Sequence, residues 1–208
     1  MGKRVLFVCV VLLTYICTSP VYAKKRSITV MTPFLAQPGT QLMVEAFEKA
    51  AHEKSWEVDV IDTSGDVAAL VNRMEDVVLQ KPDAIVINVD PNQIKTGLLA
   101  ARDAGIPVFG MDSGVDSLLQ ANVTSNGYVM AAETATFVVD QLNGQGNVVM
   151  FIFESYPPVQ MRGAIAESIF NNTPDLNILD KITPSFDKGP LEGARNAMEA
   201  VLIANQGK

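Results

Sequence analysis

Cysteine is almost missing from these 208 residues: the two present, Cys9 and Cys17, both lie within the first 23 positions. Histidine occurs once, as His52. Beyond position 17 the chain can therefore build no disulfide, no cysteine-based zinc site and no thiol nucleophile. A Ser-His-Asp triad would have to use His52, which sits late in a predicted helix beside Glu53 and Lys54, reads as a surface residue and falls at no strand end. A basic excess is lacking too. Lys and Arg number 16 against 23 Asp and Glu, for a net charge of −7, a balance that argues against nucleic-acid binding. No G-x-x-x-x-G-K-[ST] loop and no calcium loop of the EF-hand type occur. The first strand-to-helix turn, Pro33–Gly39, holds one glycine where a dinucleotide cradle wants several, and Gly144-Gln145-Gly146 leads into a strand and reads as a turn. No cofactor and no metal are expected. Low-complexity tracts are absent, and a hydrophobic content of 48% is too high for a disordered chain.

One long apolar run is present, and it is N-terminal. Lys3 and Arg4 precede an almost unbroken apolar stretch from Val5 to Cys17, and Val21-Tyr22-Ala23 follows with aliphatic or small residues three and one before a cut. This is the pattern of a cleaved secretory signal peptide over residues 1–23, too short for a comfortable membrane span of about 20 apolar residues. An uncleaved anchor is the alternative. Ile16 before Cys17 is bulky where a lipoprotein signal wants a small residue. Export to the periplasm is the expected localisation.

From Ser27 onward, strands and helices alternate. Strands are predicted at Ser27–Phe34, Glu57–Ile61, Ala84–Ile87, Ile106–Phe109 and Ala121–Thr124, and, in a second array, at Asn147–Phe153 and Asn177–Ile182. Helices are predicted at Thr40–Lys54, Asp66–Gln80, Asn92–Ala104, Tyr128–Leu142, Val159–Asn171 and from Gly189 or Pro190 to Asn205. In the first helix, Leu42, Met43, Phe47, Ala50 and Ala51 form the expected inward face; in the second, Leu70, Met74, Val77 and Val78 do so. Ala84-Ile85-Val86-Ile87 reads as a strand buried on both faces. Repeated strand–helix units imply an α/β protein with two doubly wound, Rossmann-like parallel-sheet lobes. Their division is expected near Thr124–Gly127, giving a first lobe over residues 24–125 and a second over 126–208.

In open parallel sheets, ligands bind beyond the carboxyl ends of the strands. The residues found there are Phe34 and Gln37, then Thr63, Ser64 and Asp66, then Asn88 and Asp90, then Asp112 and Ser113. In the second array they are Glu154, Ser155, Tyr156 and Phe186-Asp187, with Arg162 early in a helix. Carboxylates accept hydroxyl hydrogens, arginine donates to hydroxyl or ring oxygens, and aromatic faces cover the C–H side of a sugar, so the mixture suits a polyol. Each residue also has a plainer reading. Asp66 and Asp90 could cap helices, Phe34 could be core, and Arg162 could pair with Glu167 on the surface.

Several stretches together resemble a known family. They are Ser27-Ile-Thr-Val with Gln37-Pro38 after it, Pro82-Asp83-Ala84-Ile85-Val86-Ile87-Asn88, Ala104-Gly105-Ile106-Pro107-Val108, Met111-Asp112, Val123-Thr124-Ser125-Asn126 and Met161-Arg162-Gly163. In this order and spacing the chain resembles the type I periplasmic binding proteins, in the ribose/galactose-type sugar-binding branch. The resemblance implies two α/β lobes closing on a small sugar or polyol and delivery to the membrane subunits of an ABC importer. It implies a monomer without enzymatic activity. The alternative role is a sensor of the same fold that presents its ligand to a chemoreceptor or histidine kinase. Residue by residue, Asp112 matches a hydroxyl-binding aspartate, Arg162 an arginine clamping from the second lobe, Gln37 a polar amide and Phe186 an aromatic packed on the sugar.

Two departures leave the ligand open. Gly39 and Thr40 stand where ribose-type members carry aromatics, and Ser113 stands where they carry an arginine. Phe34 and Tyr156 are the candidates for the missing aromatic face; Ser113 and Asp90 complete the candidate set. The resemblance also implies further strand–helix units beyond Lys208, so the second lobe is expected to be incomplete, with an exposed sheet edge.

Overall fold

The computed structural model describes residues 25–185 and 189–205. The signal-peptide expectation and Phe186 lie outside the described residues.

Five parallel strands form the first sheet: β1 (Ser27–Thr32), β2 (Glu57–Asp62), β3 (Ala84–Ile87), β4 (Val108–Met111) and β5 (Leu119–Val123). Their order is β2-β1-β3-β4-β5. The chain runs outward from β1 in one direction and then crosses back to β3, so the topological switch point lies between β1 and β3. Alternation along each strand sends side chains to opposite faces. Met31, Ile85 and Ile87 point to one face, where they meet Leu70, Met74 and Val77 of α2 (Val67–Gln80) and Leu98 and Ala101 of α3 (Lys95–Asp103). Ile28, Val30 and Val86 point to the other, against Val44 of α1 (Pro38–Glu53). Burial on both faces explains the unbroken apolar runs in β1 and β3.

The predicted elements are all present, with ends displaced by one to a few residues. Asp66 caps α2, its carboxylate accepting from the Ala69 N–H at 2.8 Å. The third helix opens with a 3-10 turn, Pro91–Ile94, and Gly105 (φ +72°) turns the chain out of α3 in the left-handed region that glycine adopts without strain. His52 is exposed, as its sequence context indicates. The inward face of α1 needs correction: Leu42 and Ala50 are exposed, and Thr40, Val44 and Ala51 are buried instead. The hydropathy pattern passed over Thr40 because it is polar, yet its hydroxyl has a buried partner in Asn88.

The second part of the described chain carries α4 (Gly127–Gln141), β6 (Gln145–Phe151), α5 (Pro157–Asn171), β7 (Asp175–Ile182) and α6 (Pro190–Ala204). β6 and β7 pair in parallel as a separate two-stranded sheet. Met150, Phe170 and Leu176 form its core with Ala135 of α4. This core is smaller than the first, and Phe137, Leu191, Leu202 and Ile203 are exposed. Among the described residues no helix is long and apolar enough to cross a membrane.

Candidate functional site

The carboxyl ends of β1 and β4 face the junction between β6 and α5 across a cleft of ≈ 370 Å³. That size falls within the range of small-molecule sites. Phe34, Gln37, Thr40 and Met43 line it from the β1–α1 side, Asp112 from the end of β4, and Phe153, Tyr156, Val159 and Arg162 from the second lobe. Five of the eight candidate residues therefore converge: Phe34, Gln37, Asp112, Tyr156 and Arg162.

Asp112 is the first residue past β4 and has φ +48°. A non-glycine residue in the left-handed region carries strain, which a short polar side chain bears better than most. The geometry is held from both sides. Its N–H donates to the Val123 carbonyl at 2.7 Å, and its Oδ1 accepts from Thr124 Oγ1 at 2.6 Å. Arg162 lies in the second turn of α5 and is half-buried. It does not pair with Glu167, whose carboxylate is taken by Lys181 Nζ at 3.0 and 3.1 Å. Among the described residues it forms no ion pair, so its donors are available to the cleft.

Three aromatic rings form one wall. Phe34 meets Tyr156 edge-on at 5.5 Å between centroids and Phe153 at 6.4 Å. Phe34 and Tyr156, the two candidates for an aromatic face, both line the cleft. Phe153 was missed because it was counted inside a strand; β6 ends at Phe151, which places Phe153 in the loop over the cleft.

Asn88, directly after β3, is fully buried and joins the two lobes. Its Oδ1 accepts from Thr32 Oγ1 at 3.0 Å and from Thr40 Oγ1 at 3.4 Å. Its Nδ2 donates to the Met111 carbonyl at 2.7 Å and to the Tyr156 hydroxyl at 3.0 Å. The Tyr156 hydroxyl in turn donates to the Asp112 backbone carbonyl. Burial, and then the negative charge of Asp112, push the Tyr156 phenol well above the ordinary tyrosine value; the Asn88 hydrogen bond and the Arg162 charge oppose this only in part. The phenol therefore remains a donor at physiological pH. A second bond between the lobes runs from Gln93 Nε2 to the Ser155 carbonyl at 3.2 Å.

Two candidates lie elsewhere. Ser113 is buried in the β4–β5 turn, its N–H donating to Asn122 Oδ1 at 3.2 Å and its carbonyl accepting from Asn122 Nδ2 at 2.8 Å. The left-handed step at Asp112 turns the next residue away from the cleft, so adjacency in sequence did not carry over to the site. Asp90 caps the 3-10 turn, accepting from the Asn92 N–H at 3.0 Å, and does not line the cleft. Thr40, Met43 and Val159 line it unpredicted. Thr40 could have been found from its i, i+4, i+7, i+11 spacing with Val44, Phe47 and Ala51. Among the described residues no group of three or more His, Cys, Asp or Glu could hold a metal ion.

The profile of the periplasmic binding protein domain matches residues 28–208. The chain belongs to the periplasmic binding protein family. Relatives of this binding-protein chain include the ribose import binding protein of Bacillus subtilis, 27% identical over 79% of this chain and 54% of that protein. Its fold is that of an ABC sugar transporter subunit from Rhodobacter sphaeroides, with a TM-score of 0.80, 22% identity and coverage of 88% of this chain and 65% of that one. It is also similar to an ABC transporter solute-binding protein from Agrobacterium vitis with bound allitol, with a TM-score of 0.79, 25% identity and coverage of 87% and 63%. The chain spans about half the length of the ribose import relative and about two thirds of these solved structures.

Proposed function

We propose that this binding protein captures a small neutral carbohydrate, a sugar or polyol, in the Asp112–Arg162 cleft and presents it to the membrane subunits of an ABC importer. The observation that carries this reading is the facing of an acceptor and a donor from opposite lobes. Asp112 supplies carboxylate oxygens from the end of β4 and Arg162, which forms no ion pair among the described residues, supplies guanidinium hydrogens from α5, across a cavity of ≈ 370 Å³. A hydroxyl both donates and accepts, so a polyol satisfies both groups without adding net charge. Phe34, Phe153 and Tyr156 offer apolar ring surface to its C–H faces. The ribose and allitol named for two relatives are of this chemical class.

Contacts from both lobes favour the closed arrangement over an open one, and the differential affinity drives closure. We place the lobe division at Ser125–Asn126 and read residues 1–23 as an export signal, with action as a monomer in the periplasm. A thermal-shift titration of the purified chain against D-ribose, L-arabinose, D-allose, xylitol and allitol tests the reading. A dose-dependent rise with one class is expected, about 2.7 kcal/mol of stabilisation at a hundredfold excess over Kd. A cooperative melt unmoved by every member at millimolar concentration would overturn it.

A further inference from the structure

Among the described residues, the second lobe reaches the buried polar centre of the first through one side chain, Tyr156. We propose that Tyr156 is the positioning residue that holds the cleft closed, its phenol serving as a latch between the lobes. This inference rests on the solute-capture reading above.

The partners of the phenol lie 44 and 68 residues away in sequence: the Asp112 carbonyl at the end of β4 and Asn88 Nδ2 at the end of β3. Asn88 is fully buried, and among the described residues the other hydrogen bonds of its side-chain amide go to Thr32, Thr40 and Met111 within the first lobe. The phenol is thus the one contact of this centre that opening of the lobes would break. When it breaks, an Asn88 hydrogen and a carbonyl lone pair lose their partner until water replaces it, a cost that falls on the open state.

The latch is built to hold one geometry. The Tyr156 ring packs edge-on against Phe34 of the first lobe. Pro157 and Pro158 follow immediately, and each fixes its own φ, so the loop carrying the ring has few alternative paths. Pro157 also stands against Gly114, where an added Cβ would come within 3.2 Å of Pro157 Cγ and 3.1 Å of Pro91 Cδ. The close approach of the lobes behind the phenol depends on that missing side chain.

The ≈ 370 Å³ cleft persists with the latch made. Ligand and latch therefore act together, and the latch contributes to the closed state whether or not the cleft is filled. At Asp112 the phenol takes the backbone carbonyl, while the carboxylate accepts from Thr124 through Oδ1 and lines the cleft. Loss of the latch then speeds ligand escape without slowing entry.

The test compares the full chain with Tyr156→Phe and, as a control for loss of an exposed phenol, Tyr128→Phe. Phenylalanine keeps the ring contact and removes only the hydroxyl. Without ligand, Tyr156→Phe is expected to show a larger radius of gyration in small-angle scattering and faster amide exchange over residues 152–159, with Tyr128→Phe unchanged. With whichever of D-ribose or xylitol binds the parent chain, dissociation is expected to be about fivefold faster and association within about twofold. An unchanged radius and unchanged exchange overturn the latch, and so does a lower Tm with the radius unchanged, which would make Tyr156 a residue of fold stability alone. The capture reading fails by itself only if the parent chain binds none of the five sugars named above, and the ligand-free comparison still decides the latch.

Discussion

Thr124 donates its hydroxyl to the carboxylate of Asp112 at 2.6 Å, tying the segment after β5 to the first residue beyond β4. The bond uses one carboxylate oxygen and helps hold a backbone at φ +48°. The residue that carries this carboxylate lines the cleft.

Asp112 is accordingly expected to bind ligand rather than to stabilise the fold. Asp112→Asn keeps a residue that tolerates the left-handed region but loses the charge, and should weaken sugar binding by about 1.5–3 kcal/mol with little change in Tm. Asp112→Val should in addition lower Tm, because a β-branched side chain does not tolerate that φ. Calorimetric titration and thermal melts of the two variants separate the effects. Full affinity in Asp112→Asn would remove the residue from the site.

Arg162 has no carboxylate partner among the described residues, so its removal leaves no buried charge unpaired. Arg162→Ala should weaken binding at least tenfold and leave the denaturant midpoint nearly unchanged. Arg162→Lys should recover only part of the affinity, since one ammonium cannot reproduce the planar fork. A variant that loses stability but keeps affinity would place Arg162 in the packing of α5.

Asn88 should behave in the opposite way. Asn88→Ala strips partners from the Thr32 hydroxyl and the Met111 carbonyl at the centre of the first sheet. Each buried orphan costs about 1–3 kcal/mol, so chemical denaturation should reveal a marked loss of stability even before ligand is added. Equal stability to the parent would mean that water replaces the amide at no cost.

Two groups among the described residues contribute a pH dependence to stability. Lys95 Nζ lies 2.5 Å from Asp116 Oδ2, and this bond, with the Leu118 N–H, holds the Asp116 carboxyl below its usual 3.8. A depressed carboxylate contributes stability above the unfolded value and loses it as pH falls through the folded one, so this contribution declines below about pH 4. The raised Tyr156 phenol contributes fully below 10.0 and loses its contribution as pH rises beyond that value toward the folded pKa. Denaturant midpoints measured across pH should show both flanks. Tyr156→Phe should flatten the alkaline one and leave the acid one in place.

The strands and helices were legible because each obeys a local rule. β3 is apolar throughout since both its faces are covered, and Asp66 and Gly105 mark a helix start and a helix end with the residue types those positions demand. Local rules failed where burial was polar. Thr40 was passed over and Leu42 was placed inward, because hydropathy cannot represent a hydroxyl whose partner, Asn88, lies 48 residues away.

Phe34, Gln37, Asp112, Tyr156 and Arg162 are legible in the sequence as residues at or near strand ends, because a parallel sheet delivers its carboxyl ends to one side. The sequence by itself determined that much: the alternation, the side of the sheet on which the site forms, and the chemistry available there. Which of those residues face the cleft was decided by tertiary structure. The left-handed turn at Asp112 sends Ser113 into the β4–β5 turn, the end of β6 at Phe151 releases Phe153 to the cleft, and the approach of the lobes carries the Tyr156 phenol to Asn88. The physical reason is common to all three. Orientation and partnership between distant segments depend on backbone direction and on packing across the sheet, and neither is encoded in any residue's immediate neighbours.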